Sequence, residues 1–143
     1  MSSLDAPVKA AIFDIGATLV TGPPVAPNKA IAGLLSGVTA AEVASVIMTT
    51  PFECADDVCR ALAARFGAIG DEARESIAEL WNAQACAPRE IDGASETVLA
   101  LKRGGIKIGL LSDIWSPYYA GVGRALESLV STSTSAREPS TTC

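Results

Sequence analysis

Residues 10–20 read AAIFDIGATLV, an apolar run that ends on Asp14 and is followed two residues later by Gly16. From Val8 to Phe13 the chain is nearly continuous in apolar character, which is typical of a fully buried strand in a parallel sheet. Gly16 permits a tight turn immediately after that strand. Because open parallel sheets carry their chemistry at the carboxyl ends of strands, the pattern predicts a functional position for Asp14.

A second apolar run has the same form. Residues 106–111 read IKIGLL and are followed by Ser112 and Asp113, so a second strand also ends on polar side chains. A helix predicted from Ser95 to Arg103 precedes this strand. Such a long connection joins parallel strands by a right-handed crossover, so both polar strand ends are expected on the same side of the sheet.

The region between the two strands has helical periodicity. Residues 21–27 are rich in Gly and Pro and mark a boundary, and apolar residues recur every three or four positions over residues 28–88. This spacing predicts four amphipathic helices. Thr39 followed by Glu42 is a capping-box pattern for the second of them, and Asp56 with Asp57 favours the start of the third.

These patterns divide the chain into three parts. Residues 1–20 and 89–130 are expected to form an incomplete Rossmann-like parallel sheet core, and residues 21–88 an inserted four-helix domain. A helix is predicted from Tyr119 to Val130, and residues 131–143, rich in Ser and Thr, are expected to be disordered. The predicted fold class is therefore α/β.

Composition excludes several functions. The chain has 143 residues, a net charge of −5 and no histidine. Its basic residues form no stripe that would neutralise phosphates in series, so nucleic acid is not an expected partner. Without histidine there is no Ser-His or Cys-His nucleophile and no mixed zinc site, and the four cysteines are expected to be reduced structural thiols. No leader or membrane-spanning run is visible, so a cytoplasmic location is the default expectation.

Residues 10–20 resemble the first signature of the haloacid dehalogenase (HAD) superfamily of hydrolases. Residues 101–115, LKRGGIKIGLLSDIW, resemble its second signature, and the resemblance covers about residues 8–120. It implies that Asp14 is the nucleophile and that Ser112, with the adjacent Asp113, binds the phosphoryl group. It also implies that the helical insertion is a cap placed after the first strand.

The same resemblance implies a reaction and a cofactor. An aspartate carboxylate can attack phosphorus and form an acyl phosphate that water then hydrolyses. The implied function is a magnesium-dependent phosphatase that acts on a small phosphorylated metabolite through such an intermediate. One oxygen of Asp14 and the backbone carbonyl of Gly16 would be the protein ligands of Mg²⁺, a cation that prefers hard oxygen donors.

Two departures from the family pattern keep a second reading open. Gly16 stands where most phosphatases of the family carry a second aspartate, the general acid and base. Its loss predicts a reaction slower by about 100- to 10,000-fold.

A lysine-dependent phosphonate-cleaving relative is disfavoured, because Lys29 is the single lysine of the insertion and has no special context.

The second departure lies beyond Ser112, where the family's stabilising basic residue and acidic pair are not visible. Neither Arg124 nor Arg137 is assigned to that basic role. The alternative is a truncated or catalytically silent remnant that binds a partner through its helices. A two-stranded sheet would expose apolar surface, so poor solubility or a homodimer is expected.

Four aromatic side chains are interpreted as packing residues rather than as a substrate platform. They are Trp81, Trp115, Tyr118 and Tyr119. Trp115 is the exception to test, because its position three residues after Ser112 places it near the expected mouth of the site.

Overall fold

The computed structural model describes residues 7–130, apart from the side chains of residues 128 and 130. The predicted disorder of residues 131–143 lies outside this range. Two strands and seven helical segments follow one another in the described part of the chain. They are β1 Ala10–Phe13, α1 Pro27–Leu34, α2 Ala40–Ile47, α3 Ala55–Phe66, α4 Asp71–Cys86, α5 Ala94–Arg103, β2 Lys107–Leu110, α6 Ser116–Ala125 and α7 Glu127–Val130.

The two strands are parallel neighbours, so the predicted α/β class and strand orientation are confirmed. Ala10 lies opposite Lys107 and Phe13 lies opposite Leu110. The ladder continues beyond the last strand pair, where the backbone N–H of Leu111 donates to the carbonyl of Phe13 over 2.9 Å. Both strands therefore end at the same edge of the sheet.

The prediction that residues 8–13 form a fully buried strand is wrong. β1 is four residues long and alternates between exposed and half-buried positions, and Ile12 keeps 73% of its surface. Phe13 packs against the core from the opposite face. The described chain covers only that second face of the sheet, and a continuous apolar sequence does not by itself say how many faces are covered.

The helices begin and end largely where local signals place them. The capping box of α2 is confirmed: Glu42 N–H donates to Thr39 Oγ1, and Thr39 N–H donates to Glu42 Oε2 over 2.9 Å. Asp56 and Asp57 lie in the first turn of α3, as predicted. No helix within residues 7–130 is both long and apolar enough to cross a membrane.

The helix predicted over residues 119–130 differs from the structure. α6 begins earlier, at Ser116, with Pro117 in its first turn, a position where proline's missing N–H costs nothing. The helix ends at Ala125, and Leu126 separates it from the short α7. Leu126 is 2% exposed, so burial of this side chain accompanies the break.

The most deeply buried apolar side chains come from the helices and from the turn after β1. Each of them exposes at most 1% of its surface. They are Val20, Ile31, Val43, Ile47, Val58, Cys59, Leu62, Ile77 and Tyr118. Cys54 and Cys59 carry free thiols.

A buried glutamine joins α4 to the connection before α1 and to the start of α6. Gln84 on α4 is fully buried, and its side-chain N–H donates to the carbonyl of Val25 over 2.9 Å. Its side-chain oxygen accepts a hydrogen bond from the indole N–H of Trp115 over 3.2 Å. Trp115 is 3% exposed, which agrees with its interpretation as a packing residue rather than a substrate platform. It packs edge-to-face on Trp81, with ring centroids 5.6 Å apart.

The two chain connections between sheet and helices are also tied together. The backbone N–H of Thr21 donates to the carbonyl of Arg89 over 2.8 Å, and Thr21 Oγ1 accepts from the N–H of Arg89. The hydroxyl of Tyr118 on α6 donates to the carbonyl of Thr21. These contacts hold both connections against α6.

Candidate functional site

The two polar residues predicted at the strand ends meet in the structure. Ser112 Oγ donates a hydrogen bond to Asp14 Oδ1 over 2.9 Å, although the residues are 98 positions apart. The backbone N–H of Ile15 donates to the same carboxylate oxygen over 2.8 Å. Asp14 is exposed and Ser112 half-buried, so the pair faces solvent at the carboxyl edge of the sheet.

The turn after β1 positions Asp14 through a set of backbone hydrogen bonds. The carbonyl of Ile15 accepts hydrogen bonds from the backbone N–H groups of Thr18, Leu19 and Val20 at 2.9–3.2 Å. Ile15, Leu19 and Val20 are buried, which anchors the turn in the core. The side chain of Thr18 is exposed, and this residue belongs to the turn through its backbone hydrogen bond to Ile15.

One residue of this turn has an unusual backbone conformation. Ala17 has φ 58°, in the left-handed region where a side chain is disfavoured by roughly 1 kcal/mol. Its N–H donates to the carbonyl of Val20 over 2.8 Å, which helps to hold the conformation. The strain lies three residues from Asp14, in the loop that positions the carboxylate.

Space for a side chain is available at Gly16. A Cβ built there would meet no atom within 4 Å, and the glycine does not have a positive φ. Neither packing nor backbone geometry therefore requires glycine at this position. The surrounding structure would therefore tolerate a larger residue, such as aspartate, in place of Gly16.

The loop between β2 and α6 carries the other predicted residues. Asp113 is exposed and follows Ser112, but no hydrogen bond links it to Asp14. A cleft of about 400 Å³ lies against the same loop, between it and the connection from α2 to α3. Phe52, Ile114 and Tyr119 are among its lining residues, and the backbone N–H of Phe52 donates to Ser116 Oγ over 2.9 Å.

Of the basic residues considered from sequence, the structure places Arg124 against α4 and Lys29 on α1. Arg124 on α6 donates to the carbonyl of Ala85 over 2.5 Å, at the C-terminal end of α4. Lys29 is exposed on α1. Arg137 lies outside the described residues. In residues 7–130, no lysine or arginine forms an ion pair with Asp14 under a 4.0 Å limit.

The donor set does not make a magnesium site by itself. Within residues 7–130 no group of three or more His, Cys, Asp or Glu side chains is placed to hold a metal ion. The predicted ligands, Asp14 and the carbonyl of Gly16, amount to one carboxylate and one backbone oxygen. Mg²⁺ in proteins is usually held by one or two carboxylates together with water and substrate phosphates. These two groups would therefore hold the ion only together with water and a substrate phosphate.

Sequence reasoning missed Gln84 and Ala17, and it predicted the packing of Tyr118 but not its hydrogen bond. Gln84, Tyr118 and Ala17 fix α4, the chain connections and the Asp14 turn. The spacing of apolar residues does not predict the burial of Gln84, because a glutamine in an amphipathic helix is normally expected at the surface. The burial of Tyr118 raises the pKa of its hydroxyl, which keeps it a hydrogen-bond donor to the carbonyl of Thr21.

A HAD family hydrolase is among the solved structures that this chain resembles. No protein-family model matches the chain, and no curated protein matches it. Among solved structures, a HAD family hydrolase from Deinococcus radiodurans R1, crystallised with bound phosphate and sodium, is 23% identical with a TM-score of 0.46. The match covers 87% of this chain and 56% of that one, so the chain spans a little over half the length of that protein.

Proposed function

We propose that this chain is a HAD-like hydrolase of the phosphatase type, acting on a small phosphorylated metabolite. The observation that carries the proposal is the 2.9 Å hydrogen bond between Ser112 Oγ and Asp14 Oδ1. It brings a carboxylate and a hydroxyl together at the edge where parallel sheets bind ligands. The signatures over residues 10–20 and 101–115 supply the chemistry that this pair would perform.

In the proposed reaction Asp14 is the nucleophile. Its Oδ1 accepts hydrogen bonds from Ile15 N–H and Ser112 Oγ, which orient the carboxylate and leave Oδ2 for attack on phosphorus. The new bond joins Oδ2 to phosphorus while the bond from phosphorus to the leaving oxygen breaks. Water then attacks the acyl phosphate, releasing inorganic phosphate and restoring the carboxylate.

Ser112 would act as the phosphate anchor. Its hydroxyl can rotate from Asp14 Oδ1 to a non-bridging phosphoryl oxygen once substrate is bound, because a hydroxyl donor needs only to turn about one bond. Asp113, as a carboxylate, repels an anion, so its proposed contribution is the backbone N–H rather than the side chain. Residues 21–88 would form the cap that covers the bound metabolite.

The leaving oxygen would take its proton from water. Gly16 offers no acid, so the proposed enzyme is slow on alkyl phosphates and favours aryl phosphates, whose leaving groups need no proton. The resemblance implies Mg²⁺ as cofactor. With one carboxylate and one carbonyl available, a phosphorylated substrate would have to supply further ligands, so magnesium and phosphate are expected to bind together.

A second candidate is a catalytically silent protein that binds a partner through its helices. Two observations favour it: residue 16 carries no side chain, and within residues 7–130 no three His, Cys, Asp or Glu side chains are placed to hold a metal ion. Aryl phosphate hydrolysis, with and without Mg²⁺, separates the candidates.

The control for that assay is Asp14→Asn, which keeps shape and removes the nucleophile. We expect turnover by the natural chain, background turnover by Asp14→Asn, and a rise in KM for Ser112→Ala. Equal rates for the natural chain and Asp14→Asn would contradict the proposed phosphatase activity and would support the alternative, a catalytically silent binding protein.

A further inference from the structure

The cleft of about 400 Å³ beside the β2–α6 loop has no role in the reaction proposed above. One of its walls is the connection from α2 to α3, and the other runs from the β2–α6 loop into α6. Its apolar lining includes Met48, Phe52, Ile114 and Trp115. Ligand pockets measure about 300–1,000 Å³, so a cleft of this size suits a small organic group.

A hydrogen bond ties the two walls of the cleft together. The backbone N–H of Phe52 donates to Ser116 Oγ over 2.9 Å, although the two residues are 64 positions apart. Ser116 is the first residue of α6, so the bond fixes the Phe52 backbone against the start of that helix. Phe52 itself is half-buried and packs against the core. Its ring is therefore held at the cleft.

The cleft begins close to the phosphate anchor. Ile114 lines the cleft and follows Ser112 by two residues, a span that extended chain covers in at most about 7 Å. Ser112 in turn is hydrogen-bonded to the Asp14 carboxylate. A phosphoryl group held at this pair would leave the organic part of a small phosphate ester within reach of the cleft.

The charges around the cleft limit what that organic part can be. Among residues 7–130, none of those that line the cleft is charged. Glu53 and Asp113 each adjoin a lining residue and are exposed to solvent, one on each wall. A negative group entering the cleft would meet no cation, and the loss of its hydration would go uncompensated. A positive group would likewise find no carboxylate in the lining itself.

Three aromatic side chains favour a flat ring as the occupant. Phe52 lies on one wall, and Trp115 and Tyr119 lie on the other. Trp115 is 3% exposed, whereas Tyr119 is 64% exposed and available for contact. Aromatic rings pack on one another through offset or edge-to-face contacts that are worth more than their buried area alone. A ring entering the cleft would make such contacts.

We propose that this cleft binds the organic group of the substrate, that the group is an uncharged aromatic ring, and that Phe52 is its main contact. Ser116 is a positioning residue, because it acts by holding Phe52. The inference rests on the proposed function, since the phosphoryl group of the same substrate lies at Asp14 and Ser112.

Binding of phosphonates tests the inference apart from turnover, because they carry no ester bond to hydrolyse. Isothermal titration calorimetry of the full chain with Mg²⁺ compares phenylphosphonate with methylphosphonate, which share one anionic head group. We expect phenylphosphonate to bind at least about tenfold more tightly, the scale on which an apolar pocket discriminates. A carboxylate or an aminomethyl group in the para position should weaken binding, because its charge must be desolvated in the cleft.

Phe52→Ala and Phe66→Ala form a matched pair. Both phenylalanines are half-buried and packed against the core, but Phe66 ends α3 and does not line the cleft. Phe52→Ala should bind phenylphosphonate at least about tenfold more weakly and methylphosphonate unchanged. Phe66→Ala should bind both compounds like the natural chain.

The positioning role of Ser116 has its own variants. Ser116→Ala should lose part of the preference for phenylphosphonate over methylphosphonate, and Ser116→Thr, which keeps a hydroxyl acceptor, should retain it. Circular dichroism checks that each variant is folded. Phe52→Leu removes the ring while keeping most of the buried volume, and it carries the comparison if Phe52→Ala unfolds.

Three results would overturn the inference. They are affinities for phenylphosphonate and methylphosphonate that do not differ, undetectable binding included; charged para substituents that leave binding as tight; and a Phe52→Ala variant that keeps the natural selectivity. Failure of the proposed function is a different result. Selective binding of phenylphosphonate without turnover of any aryl phosphate would refute the phosphatase and keep the cleft as an aryl-binding site. Turnover without that selectivity would do the reverse.

Discussion

Gly121→Ala should destabilise this protein although alanine is the better helix former. Gly121 lies on α6 where this helix crosses the C-terminal end of α4. A Cβ there would lie 2.7 Å from two ring carbons of Pro88 and closer still to the carbonyl oxygen of Ala85. A backbone oxygen cannot swing aside as a long side chain can, so the helices must separate or tilt.

The magnitude follows from two opposing effects. Alanine in place of glycine within a helix stabilises by about 1 kcal/mol, and forcing a methyl group into a packed contact costs about 1–3 kcal/mol. The contact is tighter than a real Cβ tolerates, so the upper half of that range applies and the net loss is about 1–2 kcal/mol. The hydrogen bond from Arg124 to Ala85 should weaken too, because both residues lie at this crossing.

Gly123→Ala is the control within the same helix. A Cβ at Gly123 would meet no atom within 4 Å, so this substitution should stabilise by up to about 1 kcal/mol. Urea unfolding monitored by circular dichroism gives both values, and the two variants should differ by about 2–3 kcal/mol in free energy of unfolding. Equal stability of the two would refute the described packing of α6 on α4.

Three further predictions concern Gly16 at the site, the buried hydrogen bond between Gln84 and Trp115, and stability at alkaline pH. Gly16→Asp should fold normally and raise kcat on alkyl phosphates by about 100-fold or more, measured as phosphate release; an unchanged rate would contradict the role given to this position. Gln84→Leu should cost about 1–3 kcal/mol in urea unfolding, because the buried indole N–H of Trp115 loses its acceptor; an unchanged midpoint would argue against that hydrogen bond. Burial raises the pKa of Tyr118 above its ordinary 10.0 and that of Cys59 above 9.0, so folding favours the neutral forms. The contribution of these two groups to the free energy of unfolding is fully present below their ordinary pKa values. It is lost as the pH rises from those values through the higher pKa values of the folded state. The urea midpoint should therefore fall on the alkaline side, and fall less in Tyr118→Phe.

The meeting of Asp14 and Ser112 could be predicted from the sequence because it depends on few physical choices. Two apolar runs separated by a long helical segment must pair in parallel, and parallel strands end at the same edge. The capping box at Thr39 and Glu42 was equally predictable, since both partners lie within one helical turn.

The exposure of Ile12 and the burial of Gln84 could not be predicted in the same way. An apolar strand is buried on both faces only when both faces are covered, and that depends on segments distant in sequence. The burial of Gln84 depends on partners at Val25 and Trp115, 59 and 31 residues away. No local pattern encodes such pairs.

The central claim is that the carboxylate of Asp14 attacks phosphorus. Acid quenching during aryl phosphate turnover, followed by peptide mass analysis, tests it most directly. We predict one added phosphoryl group on the peptide that contains Asp14, removable by hydroxylamine and absent from Asp14→Asn. Turnover without that label, or a label that persists in Asp14→Asn, would contradict the claim.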